Sequence, residues 1–191
     1  MLDPIAWLET LGSISKTAKC RLDGEAAALT AGYARIADLF RATRARQGTI
    51  WWVGNGGSCA ICSHLAQDAL NKLAVRSQVL SDASLMTCMA NDFGYAEVYA
   101  RPLRQLARPG DCLVAISSSG NSQNIINCAD LATESGLGLI TLSAFDESNK
   151  LWNHASDVAL FLPLALYGLA EVGHEALLHA AIECQYLAEK G

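Results

Sequence analysis

Two short loops carry the densest chemistry in this 191-residue chain. The first, Gly54-Asn55-Gly56-Gly57-Ser58, stands between the apolar run Thr49-Ile50-Trp51-Trp52-Val53 and a segment of helical character from Cys59 to Leu73. Glycines let backbone approach a ligand closely, and a helix start offers unpaired N–H groups and the positive end of its dipole to an anion. The loop therefore reads as a phosphate cradle. A nucleotide is not the expected guest: Cys59 stands where G-x-G-x-x-G needs its third glycine, and no Gly-Lys-Ser/Thr follows for a P-loop. By itself such a loop can equally be a turn that links strand to helix.

The second loop, Ser117-Ser118-Ser119-Gly120-Asn121-Ser122, follows the apolar run Asp111 to Ile116 and precedes a helical pattern from Gln123 to Ser135. It repeats the first plan with hydroxyls in place of glycines. Four serines and a backbone nest at a helix start can donate many hydrogen bonds to a phosphate without a fixed positive charge. Two such loops at the ends of neighbouring parallel strands imply one sugar phosphate gripped between them.

Titratable groups cluster on two helices. His64 and Asp68 are four apart and share a helix face, while Glu171, Glu175 and His179 fall within an arc of about 80° on an ideal helix. His174 lies on the same segment. A solvated face would carry lysine or arginine among its carboxylates, yet none occurs between Leu160 and Leu187. His64, Asp68, Glu171 and His179 together make a mixed nitrogen and oxygen set suited to Zn²⁺, with Glu175 or His174 as substitutes for Glu171. Asp68 and His179 are the expected proton-transfer pair. The plainer alternative is a helix-face pair at His64 and Asp68 and a subunit contact on the last helix.

Seven cysteines at irregular spacing fit core filling in a reducing compartment rather than a disulfide framework. Cys59-x-x-Cys62 has redox spacing at a helix start, but no second pair or thioredoxin-like strand accompanies it. A net charge of -5 argues against a nucleic-acid partner bound through its phosphates. Val158 to Ala170 is too short to cross a bilayer, and the N-terminus lacks a signal pattern, so the expected placement is cytoplasmic.

The elements that must hold these groups alternate from Gly48 onward, the pattern of a parallel sheet covered on both faces. The expected class is α/β, with five parallel strands near 49–54, 77–81, 111–116, 137–142 and 157–162. Helices are expected near 58–73, 84–91, 95–107, 122–135, 148–153 and 168–189, with Pro102 kinking or restarting the third. Residues 1–47 read as two amphipathic helices, Pro4 to Arg21 and Gly24 to Arg46, broken at Asp23 or Gly24. Their stripe, which includes Leu29, Tyr33, Ile36 and Phe40, is expected to face another subunit. One domain is expected over 1–191, with 1–47 as oligomerisation helices and 48–191 as the core.

The glycine loop, the His64 helix, Asn91-Asp92-Phe93-Gly94-Tyr95, the serine loop and Glu171-x-x-His174-x-x-x-x-His179 occur in the order and spacing of the phosphoheptose isomerases. The chain resembles these sugar isomerase (SIS) domain enzymes over essentially its whole length. The resemblance implies a three-layer flavodoxin-like sandwich and conversion of sedoheptulose 7-phosphate to D-glycero-D-manno-heptose 7-phosphate. It implies that Ser117, Ser118, Ser119 and Ser122 hold phosphate and that Asn55, Ser58 and Asp92 contact the sugar. Gly56, Gly57 and Glu171 complete the expected substrate set, and His64 and His179 resemble zinc ligands of the family. It also implies a homotetramer with active sites shared between subunits.

Several positions depart from the family pattern. Asp68 stands in place of a usual glutamate, Glu171 of a glutamine, Lys72 of an arginine and Gly168 of an aspartate. A carboxylate about 1.5 Å less extended can cost ~100-fold where proton transfer needs tight geometry. Non-catalytic SIS proteins, which bind a sugar phosphate or a replication-initiator partner, are the competing class. Those relatives typically lose the metal and acid/base residues, whereas this chain keeps His64, a carboxylate at 68, and His179.

Overall fold

The computed structural model describes residues 3–191. Five apolar strands form the parallel core: β3 (Thr49–Gly54), β4 (Arg76–Val79), β5 (Cys112–Ile116), β6 (Gly138–Ala144) and β7 (Val158–Leu162). Each is close to its expected span. Ahead of them lie α1 (Pro4–Gly12), α2 (Ile14–Thr17), β1 (Lys19–Leu22), β2 (Glu25–Ala27) and α3 (Leu29–Ala45). The sheet therefore has seven strands, in the order β2-β1-β7-β6-β5-β3-β4, and β1 runs antiparallel to both β2 and β7.

This hairpin corrects the expectation of a purely five-stranded sheet preceded by a helical pair. Asp23 and Gly24 both adopt positive φ, 50° and 85°, which is the backbone of a two-residue hairpin turn rather than of a helix break. The first helix consequently ends at Gly12, and α3 starts at Leu29. Its stripe also has a different destination from the one expected. Ile36 and Phe40 are buried in this chain's own core, with Leu29, Tyr33 and Leu39 partly buried against it.

The remaining helices are α4 (Gly57–Leu73), α5 (Ala83–Phe93), α6 (Ala100–Leu106), α7 (Gln123–Glu134) and α8 (Tyr167–Lys190). A single 3₁₀ turn at Tyr95–Glu97 precedes α6, so the expected helix 95–107 restarts at Ala100 and Pro102 falls in its first turn, where a missing N–H costs nothing. Residues 148–153 form turns and no helix. Asn149 is the cause: its side chain donates to Asp146 O at 2.7 Å and accepts from Trp152 N at 2.8 Å, which offers the backbone an alternative to helical bonding.

Strand alternation divides the core between two faces. Trp52, Val114 and Ile140 pack with α3, α4 and α8, while Trp51, Val53, Leu113 and Ala115 pack with α6 and α7. The strand order reverses between β3 and β5, because β4 follows β3 outward on one side and β5 to β7 extend on the other. Gly54 pairs with Ile116 across that point, so the glycine and serine loops emerge side by side. Ligands in open α/β sheets bind at such a reversal.

Candidate active site

The serine loop opens from the C-terminal end of β5 and feeds α7. Ser117 Oγ donates to Ser122 Oγ at 3.2 Å and stands 3.5 Å from Ser119 Oγ, so the Ser122 hydroxyl turns into the loop and does not cap the first turn of α7. Ser118 Oγ is buried and has no hydrogen-bond partner. A buried hydroxyl left unpaired is costly unless a ligand or water meets it. Gly120, at φ 63°, closes the loop; a methyl group there would come within 1.9 Å of the buried Asn149 Oδ1.

The glycine loop faces it. Gly56 has φ 55° and ψ -121°, a conformation that side chains resist, and α4 starts at the next residue without a side-chain cap. Gly57 leaves room for Glu171 of α8: a methyl group on it would stand 2.4 Å from Glu171 Oε1. The two loops are tied together by a reciprocal amide pair. Asn55 Nδ2 donates to Asn124 Oδ1 and Asn124 Nδ2 to Asn55 Oδ1, each at 2.9 Å, and Tyr95 OH adds a bond to Asn55 Oδ1 at 3.1 Å. Tyr99 OH donates to Gly54 O at 2.6 Å, and burial pushes its phenol pKa up, so it stays a neutral donor.

Between the loops lies a cavity of about 180 Å³ lined by Asn55, Ser58, Ile116, Ser117, Ser118, Ser119, Ser122, Tyr167 and Glu171. It brings together most of the expected substrate set. Asp92 is not among its lining residues: it sits exposed near the end of α5, where its carboxylate accepts from Asn91 Nδ2 at 2.8 Å. Sequence reasoning missed Tyr167 and Asn124, and it gave no role to Tyr95 of the Asn91-to-Tyr95 motif. Their signal was weak, because an aromatic at a helix start and an asparagine inside a helix are ordinary residues until the loops are seen side by side.

The titratable groups gather where α4 packs on α8. Single ligand atoms of His64, Asp68 and His179 lie within 4.8 Å of one another, and the two imidazole centroids are 5.0 Å apart. His179 Nδ1 is 3.5 Å from Asp68 Oδ2. Tetrahedral bonds of about 2.1 Å place neighbouring ligand atoms about 3.4 Å apart, so two imidazoles and a carboxylate so arranged are a suitable donor set for a divalent metal after small side-chain movements.

Glu171 is not part of this cluster. The helical-wheel arc that grouped it with His179 ignored the rise of about 12 Å over eight residues, and its carboxylate instead reaches the serine cavity. Glu175 Oε1 approaches His179 Nε2 at 3.9 Å, outside hydrogen-bond reach. His174 is not in the cluster either: its ring is fully buried and its Nε2 is bonded to Ser143 O at 3.0 Å. Desolvation lowers its pKa to about 4.

Lys72 completes the neighbourhood. Its ammonium is 2.5 Å from Glu183 Oε1 and 2.9 Å from Asp68 Oδ2. These carboxylates, Glu183 first, raise the lysine pKa, and the ammonium in turn lowers that of Glu183.

The fold and the two loops define a class before they define a member. A family model described as SIS domain matches residues 17–144. A phosphoheptose isomerase of Cytophaga hutchinsonii is 34% identical over 156 residues, 78% of this chain and 80% of that protein. One from Helicobacter pylori strain P12 is 33% identical over 148 residues, 74% and 76% of the two chains. The structure of a phosphoheptose isomerase from Neisseria gonorrhoeae superposes with a TM-score of 0.81 at 29% identity, over 95% of this chain and 94% of that one. The chain belongs to the SIS-domain family and, within it, to the phosphoheptose isomerases. No helix among the described residues is long and apolar enough to cross a membrane.

Proposed function

We propose that the protein is an aldose–ketose isomerase that converts sedoheptulose 7-phosphate to D-glycero-D-manno-heptose 7-phosphate through an enediol intermediate. The observation that supports this most is the pairing of a hydroxyl-lined cavity at the strand-order reversal with a His/Asp/His cluster farther along the same two helices, α4 and α8. The unpaired Ser118 hydroxyl, Ser117, Ser119, Ser122 and the uncapped start of α7 would bind the phosphate. Asn55, Ser58, the Gly56-Gly57 backbone and Glu171 would orient the sugar, with Asp92 at the outer edge. The carbon chain then runs toward the cluster.

Isomerisation removes a proton from C1 of the ketose, protonates the C2 oxygen to give the enediol, and returns a proton to C2 while the C1 hydroxyl becomes the aldehyde. Asp68 and His179 are the proposed pair for these transfers, since a neutral imidazole accepts and returns a proton near neutral pH. His64, Asp68 and His179 are also the proposed Zn²⁺ ligands. A bound metal of this kind supplies Lewis-acid polarisation of the carbonyl and hydroxyl oxygens. A neutral imidazole has one free lone pair, so His179 cannot be ligand and base at the same moment. Zinc rescue of variants separates the two duties: excess zinc should restore rate lost with a ligand and should not restore rate lost with the proton carrier.

The decisive assay is incubation of purified protein with sedoheptulose 7-phosphate, with and without zinc. Absence of product under both conditions, with phosphosugar binding intact, would favour the non-catalytic class. A Ser119→Ala, Ser122→Ala double variant should bind the phosphosugar at least ~10-fold more weakly by calorimetry, because two donors to a charged group are lost. Unchanged affinity would place the phosphate elsewhere.

The proposed assembly is a homotetramer with active sites shared between subunits. Support comes from apolar residues left open to solvent: Ile5 and Leu8 on α1 are 65% and 56% exposed, and Tyr167 at the cavity rim is 61% exposed. Light scattering should give four times the chain mass; a monomer at micromolar concentration overturns the proposal. The seven cysteines are all unpaired, which supports a reducing, cytoplasmic setting.

A further inference from the structure

One oxygen of Asp68 faces both the His179 ring and the Lys72 ammonium. Oδ2 is the atom 3.5 Å from His179 Nδ1, which belongs to the proposed metal set, and the same atom is already 2.9 Å from Lys72 Nζ. Lys72 lies one helical turn beyond Asp68 on α4, and its second partner, Glu183 on α8, is more open to solvent: 53% of the Glu183 side chain is exposed against 9% for Asp68. The ammonium is thus shared between a buried carboxylate inside the cluster and an exposed one outside it.

We propose that Lys72 is a built-in rival of the metal: its ammonium balances Asp68 while the site is empty and shifts toward Glu183 when Asp68 ligates a divalent cation. The inference rests on the reading of His64, Asp68 and His179 as a metal site. Two physical facts lead to it. A buried carboxylate needs a partner charge, which Lys72 supplies without any metal. A compact ammonium and a divalent ion bound to one carboxylate repel each other, so each weakens the other's hold on it. Glu183 then acts as the parking position, and the pair sets metal affinity without touching substrate.

The test uses the full chain, freed of metal by chelator and dialysis, titrated with zinc alone by calorimetry, with thermal melts in parallel. Lys72→Met keeps the aliphatic stem and removes the charge. It should bind zinc ~10-fold more tightly, a coupling of ordinary size between two sites, while the metal-free protein melts lower and zinc raises its Tm by a larger increment than in the wild type. Lys72→Arg, which keeps a cation, should stay near wild type in affinity and serves as the control for packing. Glu183→Gln should weaken zinc binding in the wild type and have a smaller effect once Lys72 is gone.

Equal or weaker zinc binding by Lys72→Met, with wild-type binding intact, overturns the rivalry and leaves the metal site standing. If neither wild type nor variant binds zinc, the metal reading itself is wrong and the inference falls with it.

Discussion

His179→Ala is expected to isomerise sedoheptulose 7-phosphate ~10²–10⁴-fold more slowly than the wild type, the usual cost of removing a positioned acid/base group. Affinity for the phosphosugar should change little, because Glu171, the α8 residue that reaches the serine cavity, is about 12 Å from His179 by helical rise and none of the serine loop's bonds involve His179. The ring is half-buried, so its truncation leaves the core intact. Steady-state rates combined with binding calorimetry read the two effects separately. His64→Ala should lose metal affinity as well, and excess zinc should restore part of its rate but none of that of His179→Ala if the latter moves the proton. A His179→Ala enzyme as fast as wild type would remove this cluster from the chemistry.

Lowering the pH from about 6.5 to about 4 should cost the fold roughly 3 kcal/mol through His174 alone. Its pKa is about 4 in the folded chain against 6.5 for an ordinary histidine, because burial penalises the charged ring. The unfolded chain therefore takes up this proton first. Stability from the neutral ring is complete above about pH 6.5, declines as pH falls, and is fully lost below about 4, at 1.36 kcal/mol per unit of pKa difference. Other carboxylates add their own slopes, so the measurement is a comparison. His174→Gln keeps an amide donor for Ser143 O and has no proton to take up; its unfolding free energy should decline less steeply across this window. Identical slopes in the two proteins would show that His174 is not the responsible group.

Much of this architecture was legible because buried parallel strands announce themselves. Runs such as Cys112 to Ile116, apolar at every position and closed by serine and glycine, permit few other readings. The loops were legible for the same reason, since each sits where such a run stops. The N-terminal hairpin was not. Lys19–Leu22 and Glu25–Ala27 are short and carry charges, and helical periodicity continues on either side, so the Asp23-Gly24 turn signal was outweighed. Helix 148–153 failed through Asn149, whose buried side chain forms bonds that no periodicity reveals.

The site divides in a similar way. His64 and Asp68 could be placed on one face by counting, and so could Glu171 and His179; the same count implies a rise of about 12 Å between the last two, which a helical wheel leaves out. The role of Lys72 was invisible for a different reason. Its two partners come from different helices, 4 and 111 positions away, and only the packing of α4 on α8 joins them.

The hairpin has a second effect, on solubility. Val158-Ala159-Leu160-Phe161-Leu162 is buried along its whole length, has high β-propensity and carries no charge, the composition of a segment that templates aggregation when its edge lies open. By pairing with β7, β1 moves the sheet's boundary outward to β2, a three-residue strand that begins with Glu25. A boundary so short and so charged offers an incoming strand little to pair with. Residues 19–27 thus act as a gatekeeper for this adhesive strand.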